Sequence, residues 1–243
     1  NVTGIFVTPV LSPQARVSHR IVCNDPRGAF FRLHNWRAAK IYVTRPTVID
    51  PTATIDPSAY VAGHNVVVGP GCTVQARAVV LPDVFVGANS VIGVNTVVGC
   101  DDAEVKRTSE GLLKVVHDGR LILGERVEIG ANCTIDKGFS GRDTEIGCGT
   151  KLANATYVGH SARIGRNCML LGCTVLGSAV IGDDVRINPG AIISNQVRVA
   201  SRAEVSLGAI VVQHVPEGTR VTGNFAMEHQ RFLYRYSKVF GPF

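Results

Sequence analysis

Seven histidines are the side chains of this 243-residue chain best suited to carry a proton near neutral pH. Position chooses among them. His160 directly follows Val158-Gly159, an aliphatic residue and a glycine, so it falls at a turn and points away from a core. An imidazole there serves as readily for solvated surface as for general acid–base work. His64, in Val61-Ala62-Gly63-His64, has a similar setting and is its nearest rival; His19, His34, His214 and His229 lie toward the ends and read as solvated or structural. The chain shows no serine nucleophile elbow, P-loop or dinucleotide fingerprint. Seven cysteines include no C-x-x-C pair, and an odd number cannot all pair in disulfides. Cys72, Cys133 and Cys168 each sit four residues after a regularly spaced aliphatic, so they are expected to be core thiols in a reducing cytoplasm, with no metal bound.

The elements that would hold such residues follow from one period. An aliphatic residue returns every sixth position with a small or acidic residue behind it, as in Ile49-Asp50, Val86-Gly87, Ile92-Gly93, Ile129-Gly130, Val158-Gly159 and Ile181-Gly182. Six fits neither a lone α-helix nor an alternating strand. It fits a parallel β-helix, in which each repeat supplies a short strand and a turn and stacked coils bury what one repeat cannot. Positions Cys72, Ala78, Val84, Ser90 and Thr96, four after each aliphatic, are small enough to turn inward. Since a β-helix has no pocket of its own, sites belong in clefts between chains or beside inserted loops.

The irregularities divide the chain. Residues 1–44 lie outside the period; Ile5–Thr8 and Arg20–Cys23 read as strands, and Asp25-Pro26 as the cap and first residue of a helix, which makes a small α/β cap. The β-helix is expected over 45–224, with single-residue insertions near Val61 and Val68 and longer interruptions at 101–120 and 137–145. One residue is missing between Leu170 and Ile181, near Gly177. Residues 225–243 carry Phe232, Leu233, Tyr236 and Phe240 at helical spacing and predict a short amphipathic helix.

Composition narrows the function classes. With 45% hydrophobic and 18% charged residues, the chain can bury a continuous core. Its net charge of +6 suits an acidic partner or a phosphorylated ligand, but the basic residues are dispersed, which argues against nucleic acid. No apolar stretch reaches the roughly 18 to 20 residues of a membrane span. Asn1-Val2-Thr3-Gly4 is neither a signal peptide nor an initiator, so the sequence reads as trimmed at its front.

Val127-Glu128-Ile129-Gly130-Ala131-Asn132-Cys133-Thr134-Ile135-Asp136-Lys137-Gly138 closely resembles a signature of the UDP-3-O-acyl-glucosamine N-acyltransferases of lipid A (lipopolysaccharide) biosynthesis. The likeness extends back through Lys114–Arg120 and forward through Tyr157–His160 to Val221–Ala226, while Asn24–Arg27 with Phe30 and Phe31 resembles the end of the family's nucleotide-binding cap. The Thr-Ile-Asp-Lys-Gly run is far more specific than the hexapeptide period.

The resemblance implies a mainly β protein: a left-handed parallel β-helix of hexapeptide repeats, trimeric and cytoplasmic, with active sites between subunits. Its reaction would move an acyl group from an acyl carrier protein or coenzyme A thioester, used as co-substrate with no tightly bound cofactor, to the amine of a nucleotide-linked amino sugar. His160 matches the general base and Gly177 the backbone oxyanion donor. Asn154, Tyr157, Asp136, Lys137 and His117 would border the sugar nucleotide, with the 101–120 insertion contributed by a neighbouring chain; Arg186, Gln196, Arg198 and Arg202 would meet the acyl donor. A neutral imidazole suits removal of a proton from an amine, and one oxyanion donor contributes roughly 3 to 4 kcal/mol. The chain departs from the family pattern at Ala153-Asn154, at Ser161, at Gln196 in place of a second histidine, and in lacking the early uracil-stacking segment. Two rival readings keep the fold: a coenzyme A-dependent acyltransferase acting on a dTDP-linked amino-dideoxy sugar in surface-glycan synthesis, and a non-catalytic binding or scaffold protein.

Overall fold

A computed structural model of the protein describes residues 4–9, 19–223 and 227–240. Residues 1–3, the Asn224–Ala226 end of the family-like motif, and Phe225 at the expected start of the tail helix lie outside the described residues, as do 10–18 and 241–243. From 48 to 221 the chain coils through short parallel strands that stack into three faces. The first face runs from Val48–Ile49 to Arg198–Val199 (eight strands), the second from Thr54–Ile55 to Arg220–Val221 (nine) and the third from Tyr60–Val61 to Ile210–Val211 (eight). This is the parallel β-helix that the six-residue period predicts.

The core repeats one arrangement. From Val68 to Val211 each stacked strand's last aliphatic, among them Val74, Val80, Val86, Ile92 and Val98, is buried, and the residue four further on points inward at the next corner, while Ile49 in the first coil stays exposed. Where that second residue is polar it is bonded: Ser90 Oγ donates to the Gly124 carbonyl at 3.0 Å, Thr96 Oγ1 to Gly130 at 2.6 Å and Thr150 Oγ1 to Gly165 at 2.8 Å. Thiols fill the same position, with Cys72 Sγ 3.1 Å from the Gly87 oxygen and Cys168 Sγ 3.0 Å from that of Gly182. A buried polar atom without such a partner costs about 1–3 kcal/mol, so corner thiols and hydroxyls are tolerated because the next coil supplies a carbonyl. Burial pushes the Cys133 and Cys168 thiols up, and Cys173 to about 12, as expected of unreactive core cysteines.

Three edges join the faces. The first and second edges turn with one corner residue in the left-handed region, for example Asn89 (φ 58°), Asn95 (57°), Asn132 (56°) and Asn167 (54°). The third edge, from the third face to the first face of the next coil, carries every lengthening. It holds one extra residue between Val61 and Val68 (not two), then 101–120, then a shorter break that ends at 143 because the strand Thr144–Ile146 has already resumed. The missing residue lies on the second edge: Leu170 and Val175 are five positions apart, and Gly172 (φ 58°) makes the tight corner, its N–H donating to Thr156 Oγ1 at 3.2 Å. Gly177 is therefore on a corner of normal length, one edge beyond the slip.

At the N-terminal end, strands β1 (Gly4–Val7) and β2 (His19–Val22) pair in parallel and lead into helix α1 (Pro26–Ile41). Asp25 caps α1 by accepting the Gly28 N–H at 2.8 Å, with Pro26 at the first helical position. Its other oxygen accepts the Ser109 N–H and hydroxyl, both at 2.9 Å, so one carboxylate starts the helix and fastens it to the long insertion. The insertion is a hairpin of Val105–Thr108 against Gly111–Lys114. Asn35 completes the docking: its Nδ2 donates to the Lys114 oxygen at 2.8 Å and its Oδ1 accepts the Val116 N–H at 2.9 Å. Helix α2 (His229–Phe240) stands exposed after the last coil, with Phe232 and Tyr236 side by side. None of the described helices is long and apolar enough to cross a membrane.

Candidate active site

His160 occupies a third-edge corner, where the turn Gly159-His160-Ser161 keeps its side chain outside the core. Both insertions leave from that edge and fold back over it, so the imidazole is covered rather than solvated, with 12% of its side chain exposed. Phe139, from the shorter insertion, packs against the ring at 4.8 Å between centroids. Ser161 holds that loop, since its Oγ accepts the Phe139 N–H at 3.3 Å while its own N–H donates to Thr144 Oγ1 at 2.7 Å. The longer insertion brings Asp102 Oδ2 to 3.7 Å and Glu104 Oε2 to 3.6 Å from His160 Nε2. Burial lowers the His160 pKa, and the two carboxylates only partly oppose that shift. The ring is thus neutral at pH 7 and has two anions waiting beside it should it gain a proton.

Gly177 stacks on the same edge one coil later. A Cβ there would collide with His160 Nε2, so only glycine lets the imidazole lie against this backbone. Gly159 performs the matching service from below: a Cβ on it would stand 2.9 Å from the Gly177 nitrogen. Among the described residues no acceptor takes the Gly177 N–H. A histidine nitrogen and an unclaimed amide therefore share one small space. They open into a cleft of about 410 Å³ bounded by Phe30 and Phe31 of α1, Glu104, Lys106, Phe139, Arg142, Asn195 and Gln196. Lys106 lies 5.1 Å over the Phe31 ring and pairs with Glu104, and Arg142 lies 5.7 Å over the ring of Phe139, so charges of both signs line the cleft.

The other expected site residues separate. Gln196 reaches the cleft, one coil beyond Gly177. Tyr157 and Asp136 are adjacent on the third face, with the Tyr157 hydroxyl donating to Asp136 Oδ2 at 2.6 Å. Burial pushes the Asp136 carboxyl up to about 6 and the Tyr157 phenol up as well. Lys137 anchors the insertion instead of facing the cleft, its Nζ 3.0 Å from Asp83 Oδ2 and 3.6 Å from Asp101 Oδ1. His117 is 3% exposed and lies behind His160, away from the cleft wall. Asn154 sits on the second edge, where its Oδ1 accepts the Ala131 N–H at 2.7 Å. The three arginines do not form one patch: Arg186, on the second face, bonds Asn188; Arg198 is on the first face; and Arg202, at a first-edge corner, pairs with Glu217. The rival His64 shares the third edge but packs on Tyr42 several coils away.

The 101–120 insertion borders His160 of its own chain, because the hairpin doubles back onto the edge it leaves. His34 proves structural, as its Nε2 lies 2.9 Å from the Val116 oxygen and ties α1 to that insertion. Asp102, Glu104, Phe139 and Arg142 were not foreseen as site residues. The available signal was the double interruption of the period on either side of the Asp136-Lys137 run. Among the described residues no group of three or more His, Cys, Asp or Glu side chains is arranged to hold a metal ion.

No model of a known protein family matches the chain. Over 124 residues it is 36% identical to the UDP-3-O-acylglucosamine N-acyltransferase of Caulobacter sp. (strain K31), covering 51% of this chain and 36% of that protein. Over 116 residues it is 35% identical to the protein of the same name from Herminiimonas arsenicoxydans, covering 47% and 33%. The chain spans about a third of the length of these curated relatives. LpxA from Acinetobacter baumannii superposes with a TM-score of 0.61 at 24% identity, over 73% of this chain and 71% of that one. The UDP-N-acetylglucosamine acyltransferase LpxA from Bacteroides fragilis 9343 gives 0.56 at 19% identity, over 80% and 77%. At these identities the structures establish the fold: the chain is a hexapeptide-repeat β-helix like theirs, and about half of it is similar in sequence to enzymes named UDP-3-O-acylglucosamine N-acyltransferase.

Proposed function

We propose that the protein is an N-acyltransferase that moves an acyl group from a thioester of acyl carrier protein or coenzyme A to the amine of a nucleotide-linked amino sugar. The observation that carries this reading is the pairing of His160 Nε2 with the unclaimed Gly177 N–H at one end of the cleft. The amine nitrogen attacks the thioester carbonyl carbon as His160 Nε2 takes the amine proton. The carbonyl oxygen becomes an oxyanion that accepts the Gly177 N–H, and the C–S bond then breaks as the pair re-forms the carbonyl. The departing sulfur receives the proton from the imidazolium, which Asp102 and Glu104 stabilise while it lasts. The charged groups in and beside the cleft support the acceptor class. Asp102 and Glu104 beside His160 favour an ammonium group before it is deprotonated, and Arg142, with Lys106 held on Glu104, favours a phosphate.

Replacing His160 with Ala is expected to lower turnover by about 10³-fold, with unchanged oligomeric state and unfolding temperature. The check is a thioester-cleavage assay run with both donor types against amino-sugar nucleotides carrying UDP and dTDP. A His160→Ala protein that keeps a near-normal rate overturns the assignment.

A further inference from the structure

Three buried side-chain nitrogens among the described residues find no hydrogen-bond partner: Nδ1 and Nε2 of His117 and Nδ1 of His160. All belong to two neighbouring rings. Their centroids are 5.9 Å apart at 75°, and both rings pack on Phe139, His117 at 5.4 Å and His160 at 4.8 Å. A neutral imidazole carries one N–H and one lone pair, and leaving such a group dry and unpaired costs about 1–3 kcal/mol. Leucine would fill the space behind His160 without that cost. His117, at 3% exposed, cannot touch a ligand in the cleft; what it can address is the far side of His160.

That far side matters because the near side is biased. Asp102 and Glu104 face Nε2 and attract a proton to it, yet a base that works through Nε2 needs its lone pair there and its proton on Nδ1. An acceptor beside Nδ1 would counter this pull. We propose that His117 is a positioning residue which, through one bridging water, accepts the Nδ1 proton of His160 and so leaves the Nε2 lone pair directed at the acceptor amine. The spacing of the rings suits a single water, which is nearly as good as a direct bond. His117 is able to present a lone pair because burial, its largest perturbation, lowers its pKa and favours the neutral ring. The charged groups that face the pair are Asp101, Asp102, Glu104 and Lys106 of the long insertion and Arg142 of the short one; on α1, His34 faces Phe139 from 6.4 Å, with Asp118 beyond it.

This inference rests on the reading of His160 as base, and one measurement separates the two. Histidine 15N–1H NMR on the full chain at pH 7.5, without substrate, reports which nitrogen of His160 is protonated. The wild type is expected to show Nδ1–H. His117→Leu, which keeps the packing but removes the acceptor, is expected to move the proton to Nε2, and His117→Gln to return it to Nδ1. In acyl-transfer assays the leucine variant should lose roughly 10- to 100-fold in kcat with little change in the amino-sugar KM, with the acid limb of its pH profile displaced, and the glutamine variant should recover most of the rate. A wild-type His160 protonated on Nε2, or a tautomer indifferent to both substitutions, overturns the proposal whether or not the protein transfers acyl groups. Should the leucine variant fail to fold, a glutamine variant with the wild-type tautomer supports it and one with Nε2–H overturns it.

Discussion

The second and third edges of the β-helix are built from the same six-residue unit and have opposite fates. On the second edge nearly identical corners repeat, with Arg77, Asn95, Asn132 and Ala155 all at φ between 56° and 59°, and the polar groups there are spent on one another: Arg77 Nε donates to Asn95, and Asn95 Nδ2 to Asn132. On the third edge the corners are lengthened three times, and the groups left without partners, the Gly177 N–H and the inner nitrogens of His160 and His117, accumulate there. The hydrogen bonds between coils run along the axis, so a corner can grow outward without breaking the ladder on either side. With His160 and Gly177 in the proposed roles, stability and chemistry fall to different edges of one prism.

Glycine substitutions test that division most severely. Gly177→Ala, on the third edge, pushes a methyl group into His160 Nε2, and the expected result is a 10²- to 10³-fold loss of turnover with a nearly unchanged unfolding temperature. Gly190→Ala, on the second edge, meets no close neighbour but must adopt φ 71°; it should cost about 1 kcal/mol of stability and leave turnover intact. Paired measurements of rate and chemical denaturation decide it, and the contrast between edges is lost if the two variants behave alike.

The pH dependence of stability sharpens the comparison further. Asp136, held at about 6 in the fold against about 3.9 in an unfolded chain, binds its proton more tightly when folded. Its contribution is complete below pH 4 and is lost as the pH rises through 6, by about 3 kcal/mol at most. The lowered values of His117 and His160 act in the other direction, their contribution being full above about 6.5 and lost as the pH falls through their folded values. Denaturation midpoints of Asp136→Asn between pH 4 and 7.5 should therefore fall less with rising pH than those of the wild type. Parallel curves for the two proteins would mean that the carboxyl is not buried under the insertion. Smallest in effect, Asn154→Ala removes the bond to the Ala131 N–H on the second edge and should cost about 1 kcal/mol with less than about a twofold change in rate. A hundredfold loss of rate would instead place this edge in a composite site.

The six-residue period made the fold legible because every coil repeats the same inward aliphatic, and a stacked core exposes that repetition to direct reading. It did not distinguish the edges. That needs the length of a full coil: Tyr157 pairs with Thr174 and Thr174 with Ile192, steps of about three repeats, which align the corners of His160, Gly177 and Gln196 and place Asn154 one corner earlier. The same count places Arg186, Arg198 and Arg202 on different surfaces. Asp102 and Glu104 were not legible even so. Their approach to His160 depends on a hairpin that leaves the period, turns at Ser109 and is fastened by Asp25 and Asn35 from the other end of the sequence, contacts that no local pattern encodes.

The hairpin has one more property. Its tip at Ser109-Glu110 takes no part in the stacked ladders, whereas the strands on either side of it are joined rung to rung, Val84 to Leu121, Val91 to Glu128 and Val97 to Thr134. A break in the backbone at Glu110 would sever the polypeptide without severing any of these pairs. The protein is thus divisible into two chains that hold each other by a shared sheet on all three sides, and a split form, co-expressed as separate halves, should reassemble around the same histidine.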